Sequence, residues 1–351
     1  MQISALDDLR QHHVYVFNFP QYEESSEILI TGWTTQSSFS INACGAKIIQ
    51  KSLNKHRPAL VDIFKDESVA MGGFGIKLKP NNLNNVNGFE DYIILKPVFE
   101  PQKKNKLIEL VNTWCIPKSP YLFKIPNDSN TVRVTGKTNK NYILSGSTHF
   151  YRMLMALNYF SNLPNEGFKD IIDWGCGSGR LTMHIANYFK NANVVGVDVD
   201  PVNIDWCNQN LNSFDALQIP WSTPTSLESK KYDLLFAFSV FSHISRKNIQ
   251  IWLSEIYRIM KNNSYLIITT LGPISTASRK AGESFYKKLE ENGYVEWVNK
   301  GQIDDQRPTE DHYLNIAMTY EFAKQQFSVY FDVLGLVKGL GPQDAWILHK
   351  K

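Results

Sequence analysis

Only four cysteines occur in 351 residues, Cys44, Cys115, Cys176 and Cys207, and they never stand at C-x-x-C spacing. That excludes a zinc ribbon or a disulfide framework and suits a reducing compartment. No stretch approaches the roughly 18 consecutive apolar residues of a membrane-spanning helix. The opening Met-Gln-Ile-Ser-Ala-Leu-Asp-Asp lacks the basic segment and apolar run of a secretion signal. A cytoplasmic chain without a membrane span is expected. Lysine and arginine (37) nearly balance aspartate and glutamate (34), leaving a net charge of +3. They form no dense basic block, so nucleic acid is not the expected partner. No carboxylate cluster suits a metal, and none is expected. Repeats of solenoid length are also missing. What is present is 43% hydrophobic and 13% aromatic composition, enough in a chain this long to fill two cores. The expected division is a β-rich domain over 1–145 and an α/β domain over 146–351.

Residues 171–180 read Ile-Ile-Asp173-Trp-Gly175-Cys176-Gly177-Ser-Gly179-Arg180. They describe a buried strand that turns through alternating glycines into a helix. Glycine permits the sharp turn and lets a ligand approach the backbone closely. Dinucleotide folds use G-x-G-x-x-G, with the pyrophosphate on the helix N-terminus. Here the spacing is G-x-G-x-G and an acid precedes it, so Asp173 would repel a pyrophosphate and attract an ammonium or sulfonium. S-adenosylmethionine carries both cations and no phosphate. A second apolar strand, Val194–Val197, ends at Asp198 and Val199, where the carboxylate suits a ribose diol. Asp200-Pro201 then reads as an N-cap followed by proline at the first helical position. Each acid also has a plainer reading, Asp173 as a helix cap and Asp198 as a turn residue.

With these residues in place the chain resembles the class I S-adenosylmethionine-dependent methyltransferases. Lys231–Ile244 resembles their fourth strand and the loop after it, Trp252–Lys261 the following amphipathic helix, and Tyr265–Thr270 the fifth strand. The resemblance implies a Rossmann-like seven-stranded fold with S-adenosylmethionine as cofactor. Such families usually carry Pro-Gly-Gly before the fifth strand; this chain has Asn262-Asn263-Ser264, and asparagine tolerates the left-handed turn better than other non-glycine residues. The Ser-Val-Phe-Ser-His run, the Trp-x-x-Glu helix and Gln343–Leu348 resemble a branch found beside bacterial glycosyltransferases. They imply a sugar or glycan acceptor; a small-molecule or natural-product acceptor and a non-catalytic glycan-binding scaffold are the alternatives. A homodimer or a glycosyltransferase partner fits the same resemblance. The Asn/Asp-Pro-Pro-aromatic and Pro-Cys signatures of DNA methylation are absent.

The expected cofactor set is Asp173, Gly175, Cys176, Gly177, Gly179, Asp198, Val199, Leu217, Phe238 and Ser239. Leu217–Trp221 would form an adenine slot, and Phe238-Ser239 would border the methionine portion. Arg180 is expected as an exposed first-turn residue, with a pairing to Asp173 or substrate as the other reading. His243, after the fourth strand, is the candidate general base, or else a residue that orders its own turn. His312, flanked by Asp311 and Tyr313, is a second candidate in an acceptor loop, or a solvated loop residue.

The first 140 residues follow another pattern. Glu27–Trp33, Ser38–Asn42, Gly75–Lys79 and Tyr92–Lys96 alternate or run apolar between Asn, Gly and Pro. This predicts an all-β, sandwich-like half, with a short helix or edge segment at Arg57–Asp62 and a turn or bulge at Gly72–Gly75. The Gly32-Trp33, Arg57-Pro58 and Gly73-Phe74 pairs resemble a small immunoglobulin-like module. A helix at Tyr151–Phe160, after Gly146, is expected to pack beneath the α/β sheet.

Overall fold

The computed structural model describes residues 4–5, 15–17, 21–22, 27–35, 40–64, 66–81, 88–98, 105–119, 121–136, 138, 142–161, 163, 167–279, 281–298, 302–309 and 312–351. Strands of the first region are β1 (Tyr15–Phe17), β2 (Gln21–Tyr22), β3 (Ile28–Thr34), β4 (Ile41–Cys44), β5 (Ala46–Lys55), β6 (Gly73–Pro80), β7 (Tyr92–Pro97) and β8 (Trp114–Pro117). They form two antiparallel sheets, β1-β3-β6-β5 with β2 on β3, and β4-β7-β8. Period-two alternation turns Ile28, Ile30, Phe74, Ile76 and Leu78 of the first sheet toward Ile93, Leu95 and Ile116 of the second, in one core. Helices share the region: among the described residues α1 (Ala59–Phe64), α2 (Lys106–Val111) and α3 (Asp128–Thr135), with a 3-10 turn at Glu67–Val69. It is therefore β-rich rather than all-β. Gly72–Gly75 runs from a turn into β6, opposite a register slip between Ser52 and Lys55.

Helix α4 (Tyr142–Phe160) starts nine residues before the expected Tyr151 and passes straight through residue 146. Gly146 is inside it, where an added Cβ would overlap the carbonyl oxygen of Arg180. Phe150, Met153 and Leu157 of this helix are all buried, and each contributes roughly 1.5–3 kcal/mol of hydrophobic stabilisation. Two of its polar residues reach across: Ser147 donates to the Cys115 carbonyl at 2.6 Å, and Arg152 donates to the carbonyls of Thr113 and Leu340 at 2.8 and 2.7 Å. Helix α4 thus fastens the β-rich region to the α/β region.

The α/β region contains β9 (Asp170–Trp174), α5 (Thr182–Tyr188), β10 (Asn193–Asp198), α6 (Pro201–Asn210), β11 (Asp215–Gln218), β12 (Tyr232–Ala237), α7 (Arg246–Ile259), β13 (Met260–Thr270), α8 (Pro273–Ser278), α9 (Glu283–Asn292), β14 (Tyr294–Val298), β15 (Leu314–Met318), α10 (Tyr320–Phe327), β16 (Asp332–Val337) and β17 (Asp344–Lys350). Seven of these strands make one mixed sheet, β11-β10-β9-β12-β13-β17-β16, in which only the β13–β17 and β17–β16 pairs are antiparallel. The central strands are continuous apolar runs because helices cover both faces. Phe236 and Ile267 pack against α4 on one face, while Leu235 and Ile268 meet Ile249, Leu253 and Phe327 on the other. Asn263 takes the left-handed conformation, φ 56°, where the usual glycine would stand. Strand order reverses on either side of β9, and a cleft opens at the carboxyl ends of β9, β10 and β12. Among the described residues, no helix is long and apolar enough to cross a membrane.

Candidate functional site

The cleft is a cavity of about 160 Å³ bounded by the glycine loop, the ends of β10 and β12, α3, and Ile303, His312 and Tyr313. Asp173 is the last residue but one of β9, with 1% exposure. Thr182 donates a hydrogen bond to its Oδ2 at 2.6 Å. Burial pushes its carboxyl up to about 7, against the opposing pull of Thr182 and Arg180 and with added repulsion from Asp198. Among the described residues Asp173 has no salt-bridge partner.

Gly175, Gly177 and Gly179 all have positive φ, 77°, 53° and 79°. At Gly177 the close approach matters as well, since an added Cβ would stand 2.7 Å from Cγ2 of Val134 on α3. The amides of Gly175 and Cys176 donate to the Val197 carbonyl at 2.7 and 3.0 Å, which folds the loop over β10. Tyr142 shares a 2.8 Å hydrogen bond with Ser178 and holds the tip of the loop from α4. Cys176 meets the cavity, but its side chain packs toward Gly196, and its contact with the Cys207 thiol, together with burial, pushes its own thiol up.

Asp198 accepts from the Gly177 amide at 2.7 Å and the Asp200 amide at 2.9 Å. It orders the turn, as its plainer reading has it, and also lines the cavity. Burial raises its carboxyl to about 6, with the two amides pulling down and Asp200 pushing up. Asp200 caps α6 as expected, accepting from the Val202 amide at 3.1 Å with Pro201 following.

Val199, Phe238 and Ser239 line the cavity; Leu217 does not. Strand alternation buries Ala216 and leaves Leu217 at 44% exposure on edge strand β11. Ile219 and Trp221, further along the same slot, reach the cavity instead. Arg180 is likewise not an exposed helix residue. Its guanidinium lies 4.8 Å above the Phe238 ring, beside the cavity, and donates to Nδ1 of His149 and Oγ of Ser145 at 3.1 and 3.3 Å. Both acceptors are neutral; burial, with Arg180 adding to it, holds the His149 imidazole well below its ordinary pKa.

His243 and His312 line the same cavity. The Nδ1 atom of His243 is 2.9 Å from the Leu314 carbonyl. A carbonyl only accepts, so Nδ1 carries the proton and Nε2 holds the free lone pair. The ring stacks on Tyr313 at 4.4 Å, and burial, with Arg279 adding to it, lowers its pKa to about 4. His312 pairs through Nδ1 with Thr309 Oγ1 at 2.8 Å and meets Trp221 edge-on at 5.9 Å. Asp311 lies outside the described residues.

Gln343 enters the sequence reading only through the resemblance, with no site role, and Arg133 does not enter it. Gln343 links β17 to the loop after β12, donating to Ser239 Oγ at 2.7 Å and accepting from Thr269 Oγ1 at 2.6 Å. Arg133 enters from α3, and no motif marks it.

The family described as a methyltransferase domain matches residues 172–266. Malonyl-[acyl-carrier protein] O-methyltransferase 2 of Ilyobacter polytropus is 24% identical over 217 residues, 60% of this chain and 81% of that protein. N-methyltransferase 4 of Papaver somniferum is 27% identical over 132 residues, 36% of this chain and 35% of the relative, so the match spans only about a third of that protein. Among solved structures, the 1,6-didemethyltoxoflavin-N1-methyltransferase of Burkholderia thailandensis aligns with 74% of this chain and 96% of its own at 10% identity and a TM-score of 0.43. The cleft, the seven-stranded sheet and the family match agree: the chain carries a class I methyltransferase domain whose cofactor is S-adenosylmethionine.

Proposed function

We propose that the chain transfers a methyl group from S-adenosylmethionine to a hydroxyl of a sugar or glycan intermediate. The observation that carries the cofactor half is a buried carboxyl and a guanidinium on one cavity, neither of them held in an ion pair among the described residues. Asp173 is a buried carboxylate without an ion-pair partner among the described residues, and Arg180 is a guanidinium whose hydrogen bonds go to neutral acceptors. An amino-acid zwitterion complements both, its ammonium at Asp173 and its carboxylate at Arg180. Asp198 and Val199 would hold the ribose and one face of the base, with Ile219 and Trp221 at its edge. The bound cofactor supplies an electrophilic methyl group on sulfur.

The remaining work is positioning and proton removal. The lone pair on His243 Nε2 suits acceptance of a proton from an acceptor hydroxyl, and the Leu314 carbonyl would steady the imidazolium that forms through Nδ1–H. His312 and Tyr313 flank that position. The sugar acceptor rests on the Ser239–His243 and Gln343–Leu348 resemblance, and the two facing antiparallel sheets support a sandwich-like accessory module. A second reading, a carboxyl or amine acceptor, is favoured by the named activities of the relatives. The test is transfer of labelled methyl from S-adenosylmethionine to panels of sugar hydroxyls, carboxylates and amines. Hydroxyl methylation that collapses in His243→Gln supports the proposal; carboxylate or amine methylation indifferent to that change refutes the hydroxyl half.

A further inference from the structure

We propose that Arg133 is a positioning residue that latches two covers over the cleft, and that the latch opens on its Asp305 side. The proposal rests on the reading of the cleft as the cofactor site. Helix α3 is the inner cover. Asn127 caps its start and Gly136, at φ 74°, ends it. Asn130 ties it to α6, donating to Asn203 Oδ1 at 3.1 Å and the Val202 carbonyl at 3.4 Å. Val134 lies against Gly177. Residues 302–309 are the outer cover, joined to α3 where Gln302 donates to the Arg133 carbonyl at 3.4 Å.

Arg133 connects the two. Its Nε and Nη2 donate to the two oxygens of Asp200 at 2.6 and 2.8 Å, and its Nη1 donates to Asp305 at 3.0 and 3.1 Å. The fork geometry of guanidinium suits such bidentate pairing, and lysine cannot reproduce it. The two halves are unequal. Asp200 is 1% exposed and further held by Asn203 Nδ2 at 2.8 Å, whereas the Asp305 side chain is 55% exposed. A buried pair is strongly destabilised by losing one partner, while an exposed pair contributes little and is screened by salt. Opening therefore breaks Arg133–Asp305 first, and residues 302–309 lift while α3 stays on Asp200. The β-rich region thereby completes a cleft that the methyltransferase domain does not close alone.

The test uses the full chain with S-adenosylhomocysteine as probe, following the fluorescence of Trp221 and Trp252, which line the cleft, by stopped flow. Asp305→Asn should raise association and dissociation rates together by about five-fold with little change in Kd, the scale of one exposed ion pair. Raising salt should speed exchange in the native chain and lose that effect in Asp305→Asn. Arg133→Lys, which keeps the charge but loses the fork, should speed dissociation further and weaken Kd. Native rates and native salt response in a folded Asp305→Asn would overturn the latch, because a merely structural pair changes thermal stability and leaves exchange rates alone. Absence of binding by the native chain would instead remove the cofactor reading on which the latch rests.

Discussion

The floor of the cleft and its cover hold together by different physics. The floor, from Asp173 to Asp200, is fixed by backbone amides on carbonyls and carboxylates at 2.7–3.0 Å within one β–α–β unit. The cover, α3 with residues 302–309, hangs on side chains, and its outer tie is half in solvent. Backbone-held loops respond to changes in shape, whereas side-chain ties respond to salt and to loss of a single charge. Binding strength should therefore reside in the floor, and access should be set by the cover.

His243, packed on Tyr313 beside the cover, should give the largest effect. His243→Gln is expected to lower the turnover number by about 10²–10⁴-fold, the range of a lost general base, with the Kd for S-adenosylhomocysteine unchanged by calorimetry. Next comes the floor: Gly177→Val, with positive φ and Val134 2.7 Å from its Cβ, should weaken cofactor binding about 100-fold by equilibrium titration, from the summed costs of strain and overlap. Asp173→Ala should weaken it by about 10- to 100-fold, the scale of a hydrogen bond to a charged group. If this floor change instead altered exchange rates at constant Kd, the contrast between floor and cover would fail. Smallest should be Asp305→Asn, whose thermal midpoint should correspond to a loss of under about 1 kcal/mol, read by calorimetric unfolding.

The pH dependence of the floor has a definite sign. Burial raises Asp173 to about 7 and Asp198 to about 6, so the ligand-free fold favours their protonated forms. Their contribution to stability is present at low pH and is lost as pH rises from the ordinary carboxylate range through those values. A bound cation reverses this preference at Asp173. Thermal midpoints of the ligand-free chain should fall over that window, and those of the complex should fall less.

The floor was legible in the sequence because its groups are close along the chain. The glycines, Asp173, Asp198 and the Asp200-Pro201 cap all belong to one turn-and-cap grammar, and even Asn263 adopts the left-handed turn its type allows. The cover was not legible. Arg133 finds its partners 67 and 172 residues away, and nothing local marks an arginine as a latch. Arg180 looked exposed because it opens a helix, yet α4 packs beside it and brings Ser145 and His149 within reach. The early start of α4 was hidden by Gly146, which reads as a break and is instead a close-packing site. Leu217 stands outside the cavity because, among the described residues, its face of edge strand β11 is left open, with the residue 44% exposed.

Calorimetric titration of the native chain and Asp173→Asn with S-adenosylhomocysteine, in buffers of different ionisation enthalpy, tests the central claim most directly. The native chain should bind more tightly as pH rises toward 7 and release a proton on binding, and Asp173→Asn should bind weakly with no proton released from that position. Equal affinity and equal proton release in the two proteins, or no binding heat from a folded native chain, would contradict the account.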